Sequence, residues 1–239
     1  MRIYHFRYLT MKIKTLNELN NLLESYRISS KYKFRGQSNK SWYLIPKSGR
    51  KEYKDIEDEE VFRHWKRRAK SYLKKENYTE WEMLAIAQHS GLSTRLLDWS
   101  HNPLTALFFC CIDNHDKDGA LFVILNEKRI DENKGEIFKK YNSQVAYYQP
   151  SSSSNRLINQ FGHFTVHYPP SNELTKESFK GELVKIIIDK NIKKEILFML
   201  NQFGINFLTQ FPDLEGLSKH LNWFFENKDY YKLPNNDVL

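Results

Sequence analysis

The chain of 239 residues contains no run of about 18 apolar residues, so none of its helices is expected to span a bilayer. Its opening, Met1-Arg2-Ile3-Tyr4-His5-Phe6-Arg7, lacks the basic, apolar and small-residue order of a secretory signal, which predicts a cytoplasmic protein. Cysteine is scarce. Cys110 and Cys111 are adjacent, and a disulfide between neighbours is strained. They sit in the apolar run Ala106–Ile112, where free thiols act as small hydrophobes. Two adjacent thiols without a histidine cluster do not make a structural zinc site, so no metal is expected. Repeats are missing too. The one compositional break, Pro150-Ser151-Ser152-Ser153-Ser154-Asn155, is too short for an interdomain linker, which predicts a single domain over 1–239 with a core at about 15–225.

What the chain does have is positive charge. Lys plus Arg number 37 against 29 for Asp plus Glu, a net +8 that favours an anionic partner such as a nucleotide ligand or nucleic acid. Much of the excess follows the acidic stretch Asp55–Glu60, as Arg63, Lys66, Arg67, Arg68, Lys70, Lys74 and Lys75. Two readings stand: a solvated helix whose ends match its dipole, or a surface for phosphate contacts. The 16 Phe, 14 Tyr and 5 Trp would also suit base stacking in a nucleic-acid binding module.

Periodicity predicts helices over 15–26, 57–75, 79–89, about 103–112, 191–203 and 214–226. Thr15 caps the first, and Asn102-Pro103 opens the fourth. Strands are expected at Tyr32–Phe34, ending at Arg35-Gly36, and at 120–125, 147–148, 163–167 and 183–188. The elements do not alternate strictly as β-α-β. That predicts an α+β fold with a mixed or mainly antiparallel sheet and flanking helices.

Two constellations carry chemistry. In the first, Arg35 at a strand end offers a planar fork of donors to phosphate or carboxylate. Gly36 would let backbone approach a ligand, and Gln37 both donates and accepts. The second, Gln88–Asn102, crowds His89, Thr94, Arg95, Asp98, His101 and Asn102 among Leu92, Leu96, Leu97 and Trp99. Polar groups tied to buried neighbours must be hydrogen-bonded or poised for a ligand. Arg95 pairing with Asp98 would make it a structural loop; His89 could act as a base; the amides at Asn102 could face an anion. His89 and His101 lack a third metal ligand. Arg156 and Gln160 lie one helical turn apart, on one face.

Phe34-Arg35-Gly36-Gln37, then Trp42–Pro46 with Arg50, Gln88–Ser100 and Asn102–Phe109, resemble the FRG domain. Arg156–Thr165 and Leu208–Leu217 resemble its downstream blocks, so that the likeness would run over about 15–225. Ser93 stands where the resemblance implies proline, and Ser90 where it implies an aromatic. The order of blocks is similar to the ADP-ribosyltransferase superfamily. That likeness implies NAD as co-substrate, held by Arg35 and Gly36, with Ser93 and Thr94 as the hydroxyl block; in the chemistry expected from it, Trp99 or Trp42 would wall the nicotinamide. It also implies a glutamate on a late strand, yet 163–168 follows Gln160 and holds none. Asp98 and Glu215 are the candidates for the missing anion. The implied function is an NAD-cleaving ADP-ribosyltransferase, a bacterial toxin or anti-phage effector acting on a protein or nucleic acid. The alternatives are a non-catalytic phosphate-ligand or nucleic-acid binding module, and a nuclease or phosphodiesterase using His89, Asp98 and His101.

Overall fold

Strands that alternate inward and outward on both of their faces demand a core on each side, and this chain builds its layers that way. The computed structural model describes residues 11–53, 55–73, 77–125, 129–131, 136–139, 144–150 and 163–228. Strands β1 (Met11–Ile13), β2 (Tyr32–Gln37), β4 (Gly119–Leu125) and β7 (Glu182–Ile188) form a sheet in the order β1-β7-β4-β2. Only β1 and β7 run parallel. Strands β3 (Leu96–Trp99), β5 (Val145–Tyr148) and β6 (His163–His167) form a second, antiparallel sheet in the order β3-β6-β5. The helices are α1 (Leu16–Tyr26), α2 (Asp58–Ala69), α3 (Glu80–His89), α4 (Pro103–Cys111), α5 (Lys193–Gln202), α6 (Phe207–Gln210) and α7 (Leu214–Glu226). The fold is α+β, with one mixed sheet, one antiparallel sheet and flanking helices, as the sequence predicts.

Three hydrophobic clusters stack the layers. Phe34, Leu121, Val123, Ile186 and Ile188 turn one face of the larger sheet toward α1, α4 and α5. Ala120, Phe122, Ile124 and Ile187, on the opposite face, meet Leu97, Trp99, Val145 and Tyr147 of the smaller sheet. The outer face of that sheet, Leu96, Tyr148, Phe164 and Val166, packs on Phe62 of α2 and Trp81 and Leu84 of α3. The two sheets touch through an antiparallel bridge, Phe34 to Ser100, whose two backbone bonds are both 2.8 Å.

Gly36 is fixed by packing. A Cβ there would stand 1.8 Å from the carbonyl oxygen of Ala106 and 2.6 Å from the amide of Cys110, so β2 lies directly against the backbone of α4. The face that bears Gly36 is the one opposite Arg35. The glycine therefore serves helix-to-strand contact.

Several boundaries differ from expectation. Strand β2 continues through Gln37, because all of Tyr32–Gln37 pairs with β4. Residues 96–99, expected as loop, are β3; Leu96 and Leu97 point to different cores, so no polar alternation marks them. Helix α2 stops at Ala69 although periodicity runs to Leu73, which reaches the same core from a turn, its N–H bonded to the Ala69 carbonyl at 3.1 Å. Lys74 and Lys75 lie outside the described residues. The short β1 and α6 have too few residues to show a period.

Candidate functional site

Arg35 projects from β2 at the bridge between the sheets. Its Nη1 donates to the backbone carbonyl of Asp98 at 2.8 Å and stands 3.9 Å from the Asp98 carboxylate. Its buried Nε has no partner among the described residues. Burial lowers the guanidinium pKa, Asp98 opposes that, and Arg50 adds to it by like-charge repulsion. A buried donor left unmatched costs about 1–3 kcal/mol, which singles Arg35 out as a candidate ligand contact.

A hydrogen-bonded chain fixes the carboxylate. The Thr94 hydroxyl donates to Gln88 Oε1 at 2.5 Å, which turns the Gln88 amide so that Nε2 donates to Asp98 Oδ2 at 2.9 Å. Thr94 Oγ1 also accepts the Leu96 amide at 3.2 Å. Asp98 keeps 40% of its side chain exposed, against 17% for Arg35, so the pair opens to solvent on the acid's side. Gln88 was named only as part of a segment; its role follows from α3 ending, with Gly91 at positive φ, just where β3 begins. Beside this chain, Ser48 Oγ and Ser93 Oγ are buried without partners among the described residues, and the Ser48 amide donates to the Thr94 carbonyl at 3.3 Å.

Other expected site residues belong elsewhere. Arg95 does not pair with Asp98. It makes a bidentate pair with Asp58 of α2, Nε to Oδ2 at 2.8 Å and Nη2 to Oδ1 at 2.7 Å, between the rings of Phe138 and Tyr168. Trp99 is core, 1% exposed, its Nε1 donating to Thr165 Oγ1 at 3.2 Å; it cannot wall a ligand in this arrangement. Trp42 is half exposed. Glu215 pairs with Lys219 at 2.6 Å on α7, and α7 packs through Trp223 on the far side of the larger sheet, so it does not meet Arg35. Gln37, buried, spends Nε2 on the Tyr43 carbonyl at 3.2 Å and leaves Oε1 unmatched. Asn102 caps α4 by accepting the Leu104 amide at 2.9 Å. His89 is exposed, one residue past Gln88. Arg156 and Gln160 lie outside the described residues.

The layer between the sheets also holds histidines that sequence reading did not single out. His167 Nδ1 must donate to the Asn172 carbonyl at 2.6 Å, which leaves Nε2 to accept from Thr165 at 3.1 Å. Burial brings its pKa down to about 4, and nearby Arg35 adds to the effect. His163, bonded to Tyr147 Oη at 2.6 Å and edge-on to the ring of His101, falls to about 3, chiefly through burial. Both are neutral at physiological pH. Their signal in the sequence was alternation, His163-Phe-Thr-Val-His167, which places both rings and Thr165 on one face.

On α2, Lys66 pairs with Glu80, Arg67 meets His64 Nδ1 at 2.9 Å, and Arg68 bonds the His64 carbonyl at 3.3 Å. The acidic first turn and basic last turn match the helix dipole. Among the described residues no group of three or more His, Cys, Asp or Glu could hold a metal, and no helix is long and apolar enough to cross a membrane. Cys110 and Cys111 are buried and free, and burial pushes the Cys111 thiol well up.

Neither among curated proteins nor among solved structures does any match the chain. Residues 30–119 match the model of the FRG domain. That span takes in Arg35, Gln88, Thr94 and Asp98, which form the Arg35–Asp98 network, and Ser48 and Ser93 beside it, while the block Leu208–Leu217 lies beyond it. The candidate site is thus built wholly within the stretch that is similar to the FRG domain.

Proposed function

We propose that this protein binds a phosphate-bearing nucleotide at the junction of its sheets and cleaves NAD there, transferring ADP-ribose to an acceptor or to water. The observation that carries the reading is the unfinished coordination of Arg35, whose Nε is buried, unmatched and next to a carboxylate. A phosphate oxygen completes that fork. Asp98 takes the place of the glutamate that the late strand β6 does not supply, since β6 contributes only histidines, Phe164, Thr165 and Val166.

The chemistry then follows from position. The bond from the ribose carbon to the nicotinamide nitrogen breaks, and its electron pair leaves with neutral nicotinamide. Asp98, oriented by Gln88, faces the cation left on the ribose and stabilises it electrostatically. Water or an acceptor hydroxyl attacks that carbon and releases its proton to His89, an exposed base next to Gln88 in the chain. Incubation with NAD should release nicotinamide, and Asp98→Asn should slow release about 100-fold or more, as loss of one preorganised electrostatic group does. A wild-type chain that neither releases nicotinamide nor gains thermal stability from NAD would sink the reading.

A further inference from the structure

We propose that the turn Lys47–Arg50 and Ser93 form a second anion subsite beside Arg35, so that the site selects a nucleotide bearing a diphosphate over one bearing a single phosphate. The inference rests on the nucleotide reading above and specifies which ligands the site prefers and why.

Two hydroxyls point to it. Ser48 is 7% exposed, yet its Oγ has no partner, and Ser93 Oγ is likewise buried and unmatched. One backbone bond, Ser48 N to Thr94 O, joins their segments and sets them next to the Thr94–Gln88–Asp98 chain. The turn is pinned from behind. A Cβ on Gly49 would lie 2.0 Å from the Pro170 oxygen, and Lys47 Nζ donates to the Gly91 carbonyl at 3.1 Å. The hydroxyls are thus held by backbone and do not satisfy one another.

Charge supplies the second argument. Arg50, exposed, follows Ser48 by two residues and lies near enough to Arg35 to disfavour its charge. One carboxylate, Asp98 at 3.9 Å, offsets Arg35. Two guanidiniums and two hydroxyl donors from adjoining segments can serve more than one anionic group. One phosphate can meet Arg35 Nε, and the next can take Arg50 and the serine hydroxyls.

The test is calorimetric titration of the full chain with AMP, ADP and ADP-ribose. Wild type should bind the two diphosphates at least about tenfold more tightly than AMP, the effect expected of an added charge-assisted contact. Arg50→Ala and the double variant Ser48→Ala/Ser93→Ala should each abolish that preference and leave AMP affinity unchanged. Arg35→Ala should weaken all three. If Arg50→Ala and the serine variant bind ADP as wild type does, the hydroxyls only hold water and the subsite is overturned while the nucleotide reading stands. If wild type binds diphosphates no better than AMP, the subsite likewise falls. Binding of none of the three removes both. Should the serine variant fail to fold, Arg50→Ala, a change at an exposed position, decides.

Discussion

Two arginines, Arg35 and Arg95, flank one short strand, and their surroundings differ in every respect that matters. Arg95 is closed: both prongs meet Asp58, two aromatic rings cover its faces, and the pair is less than a tenth exposed. Arg35 has one backbone carbonyl, a carboxylate at 3.9 Å and an unmatched Nε. A completed guanidinium holds a fold together, whereas an incomplete one is available to a ligand. The comparison separates a completed charge from an incomplete one on either side of β3.

The sharpest way to break that contrast is stability. Asp58→Ala leaves Arg95 buried and uncompensated and should cost about 3–5 kcal/mol in denaturant unfolding. Arg35→Ala, by contrast, should cost no more than about 1.5 kcal/mol while abolishing nicotinamide release. Equal losses of stability would erase the distinction. Next in size is Gly36→Ala, which forces a methyl group into the α4 backbone; overpacking of this kind costs about 1–3 kcal/mol, and the top of that range is expected because both clashing atoms are backbone. An unchanged melting temperature would show that the strand and helix can part.

A third effect lies in pH. His167 and His163 are neutral when folded, with pKa values near 4 and 3, below the unfolded value of about 6.5. The unfolded chain therefore binds protons that the folded chain refuses. Stability should be complete above about pH 6.5 and fall as pH drops toward 4, by at most about 1.4 kcal/mol per pH unit for each ring. His167→Gln should flatten the profile over that window; an unaltered slope would mean that other groups set it. The smallest effect is expected on α2. Charge reversal at Arg67 and Arg68 should move stability by less than about 0.5 kcal/mol and leave nicotinamide release untouched. A large loss of activity there would reopen the phosphate-surface reading of that helix.

Much of this architecture was legible in the sequence. Thr15 and Asn102-Pro103 marked the starts of two helices, and the strands expected at 120–125, 163–167 and 183–188 fall on β4, β6 and β7. What escaped was decided by partners distant in the chain. Nothing around Arg95 reveals that Asp58, 37 residues earlier, claims it in place of Asp98. Nor does Leu-Leu-Asp-Trp read as a strand when its two leucines enter different cores. Glu215 looked available because one dimension cannot show which side of a sheet its helix covers. Arg35 and Asp98, candidates in separate segments, meet although 63 residues apart, and the Gln88 amide that connects Asp98 to Thr94 has no signature in the chain.

The contact between Gly36 and the Ala106 carbonyl carries a lesson for divergence. It ties the location of the neighbouring guanidinium to the closest approach of a helix and a strand, deep in the molecule. On the proposed reading, mutation at position 35 changes what is recognised there, and drift in the 41–50 segment reshapes its surroundings. Moving the recognition point itself would require rebuilding the interior. The ligand chemistry of such a scaffold is therefore free to wander, while the address at which that chemistry happens is inherited with the core.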